Sequence, residues 1–214
     1  MQRDAIRVQL VDDHAVVRAG YRTLLEGVLD IVVVAEAESG EAACRAYNEW
    51  RPQVVIMDWS LPGMSGLEAT RRILARDVSA RVLVFSMHEE TAFVEQALQA
   101  GARGYITKRS APDVLVEAVR QVAAGKTYLE QEIAHRLAIH RAQGRSTSLE
   151  ALSAREFEIF CFLAQGLGVN QIAKRLSLSY KTIANYSTQI KNKLEVNTVA
   201  ELTRLAIRHG IVKP

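Results

Sequence analysis

From residue 6 onward, short apolar runs alternate with segments whose apolar residues recur at helical spacing, and this alternation restricts the fold more than any other feature. The runs at 6–11, 31–35, 54–57, 81–86 and 104–106 have strand length and end in turns. Between and after them, Leu24-Leu25-Val28, Ala42-Ala43-Ala46-Tyr47, Ala69-Ile73-Leu74, Val94-Ala97-Leu98 and Val114-Leu115-Ala118-Val119 predict helices. Five βα units in succession imply an α/β fold, a doubly wound parallel sheet with helices on both faces. Ligands of such sheets bind beyond the carboxyl ends of the strands, where the strand order reverses.

At that edge the sequence places an unusual set of groups. The first strand ends in Asp12-Asp13, the third in Asp58 and the fourth in Ser86, and Lys108 follows the fifth. In the flavodoxin-like order 2-1-3-4-5, strands 1, 3, 4 and 5 are neighbours, so these groups converge. Three carboxylates in one pocket repel unless neutralised. A hard divalent cation, Mg²⁺ by preference, relieves this while keeping positions open for water and phosphate oxygens. Any one of the acids could simply cap the helix after it. Five polar groups at one edge, with a lysine among them, instead suit a carboxylate that accepts a phosphoryl group while cations counter the charge on its oxygens.

The run Val8-Gln9-Leu10-Val11-Asp12-Asp13-His14, the run from Val54 to Glu68 that contains Asp58-Trp59-Ser60-Leu61-Pro62-Gly63, and Gly101-Ala102-Arg103-Gly104-Tyr105-Ile106-Thr107-Lys108 closely resemble response-regulator receiver domains. The resemblance covers residues 5–125. It implies that Asp58 is the phosphoacceptor, that Asp12, Asp13, Asp58 and the Ser60 carbonyl hold Mg²⁺, and that Lys108 contacts the phosphoryl group. It also implies that Ser86 and Tyr105 are the hydroxyl and aromatic switch positions, Tyr105 turning inward when phosphate arrives. Arg109 follows Lys108 where many receivers have proline, which removes the usual reason for a cis peptide there.

Composition changes near Gly125. Residues 1–125 carry 14 Lys and Arg against 17 Asp and Glu, and the remainder 13 against 7, so the net charge of +3 conceals an acidic part and a strongly basic one. A basic C-terminal part suggests a polyanionic partner. A helical stretch is expected at 130–140, followed by a polar linker at 143–148. Ser153 with Glu156 three residues on has capping-box spacing, and Phe157, Phe160, Cys161 and Ala164 form the apolar stripe of the helix it opens. A short helix at 170–176, a turn at Leu178-Ser179 and a longer helix ending at Leu194 make a helix-turn-helix length pattern. On the longer helix Ile183, Ser187, Ile190 and Leu194 share one face. The other presents Lys181, Thr182, Ala184, Asn185, Thr188, Gln189, Lys191 and Asn192, with no acid. Asn185 and Gln189 can pair with adenine edges, and Lys181 and Lys191 with phosphates.

The pattern Leu152-Ser153-Ala154-Arg155-Glu156, Gly166, Gln171-Ile172-Ala173, Leu176, Leu178-Ser179, Thr182-Ile183, Ile190, Lys193-Leu194 and Val196 resembles the LuxR-type helix-turn-helix over residues 149–212. With the receiver, the chain is similar to the NarL/FixJ family, and its ending to the GacA/UvrY and BvgA-like members. Ala184 and Tyr186 stand where that family usually has Lys and His, and Gly168-Val169 where it has Ser-Asn, so base preference is not carried over. The resemblance implies a homodimer, on phosphorylation or on DNA, through Val199, Leu202 and Ala206 of a last helix at 198–209. Those residues are equally suited to an ordinary core.

The expected organisation is thus a receiver at 1–125, a linker with a helical segment at 126–148, and a four-helix DNA-binding domain at 149–214. The expected partners are a sensor histidine kinase and double-stranded DNA, with no membrane. No apolar run approaches bilayer length, and Met1-Gln2-Arg3-Asp4 does not read as a secretory leader. With Cys44 and Cys161 as two buried thiols, a cytoplasmic protein is expected. Three other functions fit the residues less well. An aspartyl-phosphate phosphohydrolase would want a second acid two residues after its nucleophile, where this chain has Ser60. A ligand-sensing LuxR regulator has no need of the acid cluster, and a phosphate-independent regulator could lose acids that are all present.

Overall fold

The third and fourth strand runs are apolar at nearly every position, so both faces must be covered. β1 (Ile6–Val11), β2 (Ile31–Ala37), β3 (Val54–Asp58), β4 (Val82–Ser86) and β5 (Gly104–Thr107) alternate with α1 (Ala15–Glu26), α2 (Gly40–Trp50), α3 (Gly66–Arg76), α4 (Thr91–Gln99) and α5 (Pro112–Ala123). This is a computed structural model, and it describes residues 5–110, 112–142 and 148–212. Every residue of β3 and β4 is buried. Strand order is β2-β1-β3-β4-β5-β6. All pairings are parallel, the flavodoxin-like order read from the sequence plus one strand.

Successive side chains of a strand point to opposite faces, and the core divides accordingly. Val54 and Ile56 pack with Leu25 of α1 and Leu115 and Val119 of α5. Val55 and Met57 pack with Ala43 and Tyr47 of α2 and Ala69 and Ile73 of α3. Each large side chain so buried contributes roughly 1.5–3 kcal/mol. The helices begin where a hydroxyl can satisfy a free N–H. Ser39 accepts from the Ala42 N–H and Ser65 from the Glu68 N–H.

Strand bounds differ from the sequence reading by one or two residues, and one strand was not foreseen. β6 (Tyr128–Leu129) lies parallel to β5, with Tyr128 opposite Gly104 and Leu129 opposite Tyr105. Two residues carry no periodicity, so only the unpaired edge of β5 reveals the partner. Cys44 is half-buried rather than buried. No described peptide bond is cis.

The chain divides into two compact units, Met1–Glu89 with Ala97–Ala134, and Glu90–Gln96 with His135–Pro214. The change near Gly125 is therefore not the structural boundary. β6 draws residues 126–134 into the first unit. In the second, Phe93 meets Phe157 edge to face with centroids 5.1 Å apart, and the Gln96 amide donates to the Leu149 carbonyl. α6 (Gln131–Ala142) crosses the division in sequence. The expected linker at 143–148 falls outside the described residues except for Ser148, which opens a short 3-10 turn (Ser148–Ala151).

The second unit contains α7 (Ala154–Ala164), α8 (Val169–Arg175), α9 (Tyr180–Lys193) and α10 (Val199–Arg208), the four helices expected. The Ser153–Glu156 capping box forms at the start of α7. Glu156 also accepts from Lys193 Nζ at 2.7 Å, tying the end of α9 to the start of α7. Burial works to raise the Glu156 pKa, but Lys193 and the Ser153 N–H outweigh it and hold the carboxyl below its usual range. Phe157, Phe160, Ile172, Ile183, Ile190 and Leu202 form the core among these helices.

Gly66 is needed for close approach, since a Cβ there would lie 1.8 Å from the Asp58 carbonyl oxygen. Gly66→Ala is therefore expected to lower stability by about 1–3 kcal/mol or more in urea unfolding, and to displace the end of β3. Gly20, in α1 with nothing within 4 Å of a Cβ, gives the opposite result. Gly20→Ala is expected to raise stability by about 0.5–1 kcal/mol.

Candidate functional site

Parallel strands that end together deliver their next residues to one edge, and here that edge is acidic. Asp12 follows β1, its N–H bonded to the Ala37 carbonyl of β2, and Asp58 is the last residue of β3. Both are buried, at 1% and 3% exposure, whereas Asp13 faces solvent. Asp12, Asp13, His14 and Asp58 offer ligand atoms within 4.8 Å of one another. Lys108, in the turn after β5, reaches across β4 and binds both buried acids, with Nζ 2.5 Å from Asp12 Oδ2 and 2.8 Å from Asp58 Oδ2. Its own N–H donates to the Ser86 carbonyl at the end of β4. Asp58 Oδ1 accepts from the Ser60 N–H at 3.2 Å.

Burial pushes the Asp58 carboxyl up to about 6; Lys108 opposes the shift and Asp12 adds to it. Burial works to lower the Lys108 pKa, but the charges of Asp58 and Asp12 more than offset this and the net shift is upward. One ammonium among three carboxylates leaves net negative charge in a poorly solvated cleft. Three of the four candidate ligands are carboxylates, one of them open to solvent, and such hard oxygen donors fit a hard divalent cation.

Ser86 is fully buried, and its Oγ accepts from the His88 N–H at 3.1 Å. Tyr105, the expected aromatic switch position, has its ring inside, at 0% exposure, and its hydroxyl donates to the His88 carbonyl at 2.8 Å. His14 was quoted in the sequence motif but given no role. Nδ1 lies 2.8 Å from Asp13 Oδ1 and 3.3 Å from Asp12 Oδ1, and its place directly after two acids was the available signal.

In the second unit, α9 turns Ile183 and Ile190 into the core and leaves Ser187 half-buried. Lys181, Asn185, Thr188, Gln189 and Asn192 are exposed, and Thr182, Ala184 and Lys191 half-buried. The helix is capped by Ser179, which accepts from the Thr182 N–H. The Thr188 hydroxyl donates to the Ala184 carbonyl of its own helix. On α10 the structure corrects two of the three expected dimer residues. Leu202 and Ala206 are 0% exposed within the unit's own core, and Val199 alone of the three is exposed, at 45%. The alternative reading, an ordinary core stripe, holds for those two.

The pocket's electrostatics set its stability against pH. Asp58 has a folded pKa above its unfolded one, so keeping it ionised costs stability at pH above about 6, and the cost fades as pH falls towards 4. A shift of this size corresponds to about 3 kcal/mol at most. Without divalent cations, Asp58→Asn is expected to raise the urea midpoint at pH 7.5, by an amount that shrinks at pH 5. Equal midpoints at pH 7.5 would show that Lys108 already compensates the charge.

Known proteins bear on both units. Residues 8–120 match the response regulator receiver domain, and residues 150–206 the luxR family of bacterial regulatory proteins. The chain is 46% identical over 209 residues to the transcriptional activator protein ExaE of Pseudomonas putida, covering 96% of this chain and 98% of that one. It is 40% identical to the response regulator UvrY of Escherichia coli K12, covering 96% and 95%. Among solved structures, RcsB from Salmonella enterica serovar Typhimurium, bound to promoter P1flhDC with the phosphomimetic BeF3-, is similar at TM-score 0.69 and 27% identity, covering 94% of this chain and 98% of that one. A LuxR-family two-component response regulator from Aurantimonas sp. SI85-9A1 gives TM-score 0.63 and 45% identity, covering 65% and 99%. The chain belongs to the two-component response regulators, DNA-binding transcriptional regulators that join a receiver to a LuxR-type helix-turn-helix domain.

Proposed function

We propose that Asp58 accepts a phosphoryl group from a sensor histidine kinase and that the modified protein acts on transcription through α9. The observation that carries this reading is the pairing of buried Asp58 with Lys108 beside Asp12 and Asp13. An Asp58 carboxylate oxygen attacks phosphorus, a P–O bond forms as the P–N bond of the donor phosphohistidine breaks, and the leaving imidazole keeps the electron pair and takes up a proton. Mg²⁺ held by Asp12, Asp13, Asp58 and the Ser60 carbonyl would supply charge neutralisation for the transferring group. Lys108 exchanges its bond to Asp58 for a phosphoryl oxygen, and the Ser86 hydroxyl turns from the His88 N–H to donate to another. The acceptor is the protein's own side chain, so the role is regulatory and no separate substrate is turned over.

For DNA, support comes from the acid-free exposed face of α9 and from the solved RcsB complexes with promoter DNA. Asn185 and Gln189 read base edges, while Lys181 and Lys191 contact phosphates and Thr182, Ala184 and Thr188 line the approach. A homodimer on DNA would use the exposed side of α10, where Val199 and Ile207 lie, rather than Leu202 and Ala206. Among the described residues no helix is long and apolar enough to cross a membrane, and a DNA target favours the cytoplasm.

Asp58→Asn is expected to abolish labelling by acetyl phosphate with Mg²⁺, and labelling equal to wild type would refute the acceptor assignment. On DNA, Asn185→Ala is expected to relax base preference at one position, costing about 1–3 kcal/mol. Lys191→Ala should weaken all sequences alike and reduce the salt slope of binding by about 1, read in titrations at several salt concentrations.

A further inference from the structure

The geometry points to Glu130 as a clasp that fastens the start of α6 to the Lys108 turn and is released when Asp58 is phosphorylated. Glu130 follows β6, and its Oε1 accepts the Thr107 N–H at 2.8 Å and the Ser110 hydroxyl at 2.5 Å. Thr107 Oγ1 and Ser110 Oγ are 2.9 Å apart, closing a ring of hydrogen bonds on either side of Lys108. The same turn is held from its other side by the acceptor pocket, through Lys108 Nζ on Asp12 and Asp58 and the Lys108 N–H on the Ser86 carbonyl. Four residues, 107–110, thus have one face in the acid cluster and the other on Glu130.

Glu130 is also where α6 begins, since its carbonyl accepts the Ala134 N–H at 2.8 Å. Its side chain is anchored to the pocket turn and its main chain starts the helix that leads on in sequence to the second unit. β6 has only two residues, paired with β5 at Gly104–Tyr128 and Tyr105–Leu129, with the Tyr128 N–H on the Arg103 carbonyl and the Tyr128 ring against the core. A carboxylate accepting a backbone N–H is roughly twice as strong as a neutral hydrogen bond, so the clasp adds a charge-assisted restraint to this edge.

This inference rests on Asp58 being the acceptor. A phosphoryl group there takes Lys108 Nζ from its bond to Asp58, and the turn that carries Lys108 moves with it. Because the clasp requires the Thr107 N–H and Ser110 hydroxyl to converge on one oxygen, a small displacement breaks it. The two states differ in a defined contact, as a switch must. By reciprocity, weakening the clasp must favour the phosphorylated state.

The test uses the full-length protein with Mg²⁺, with and without beryllofluoride as phosphoryl mimic, reading amide exchange at Thr107 and Tyr128 and the apparent affinity for the mimic. In wild type both amides are expected to lose protection when the mimic binds. Glu130→Ala should lack that protection beforehand, show no further loss, and bind the mimic more tightly, an outcome that simple loosening of the fold would not produce. Glu130→Gln, whose neutral amide oxygen still accepts both bonds but more weakly, should fall between Glu130→Ala and wild type, as should Ser110→Ala, which serves if the alanine variant at 130 is unfolded. Unchanged protection at Thr107 and Tyr128 in a wild-type protein that labels normally at Asp58 overturns the clasp and leaves the acceptor intact. Mimic affinity in Glu130→Ala equal to or below wild type also overturns it. Absence of labelling at Asp58 removes the acceptor reading and the clasp with it.

Discussion

The receiver unit is organised around the contact of one ammonium with two buried carboxylates. Asp12 and Asp58 stand at the ends of adjacent strands at 1–3% exposure, where burying charge is costly without a counter-charge. Lys108 supplies it from the far side of β4, so a single side chain links the ends of β1 and β3 to the turn after β5. The compensation is incomplete, and the raised Asp58 pKa reflects what is left over. A pocket with residual negative charge and a lysine at its wall is suited to taking up a cation and then an anion.

The rest of that unit makes such a pocket tolerable. β3 is covered on both faces by apolar residues, so the strand that presents Asp58 is rigid and dry up to its last residue. Gly66 lets α3 start directly against that residue. Phe85 lies beneath the pocket, with Lys108 Nζ 5.9 Å from its ring centroid, and Tyr21 packs edge-on to the same ring at 4.7 Å. Function here is grafted onto the fold at its most constrained edge, in keeping with the general behaviour of open parallel sheets.

The second unit solves a different problem, the presentation of a polar helix by a small core. α9 contributes only Ile183 and Ile190 to the fully buried set, and its C-terminal turn is fixed by Lys193 on the buried Glu156. Lys193 stays exposed but is engaged by Glu156, while Lys181 is exposed and Lys191 half-buried on the same helix. Leu202 and Ala206 complete the core from α10, which is why they are unavailable to a neighbouring molecule.

Much of this was legible in the chain itself. Strand runs bounded by turns, helical periodicity between them, and Asp12, Asp13, Asp58, Ser86 and Lys108 falling at strand ends dictate a parallel sheet with an acidic edge, because strand direction and handedness leave no other arrangement. The Ser153–Glu156 box was equally readable, since a cap depends on residues three apart. What only the tertiary structure decided involves partners distant in sequence. β6 exists because β5 offers an unpaired edge, and Glu130 acquires a role because that edge brings it to Thr107. Tyr105 meets the His88 carbonyl, 17 residues away, and an apolar stripe on α10 has the same pattern whether it faces its own core or another chain. Local spacing specifies which residues share a face, and only packing specifies what that face meets.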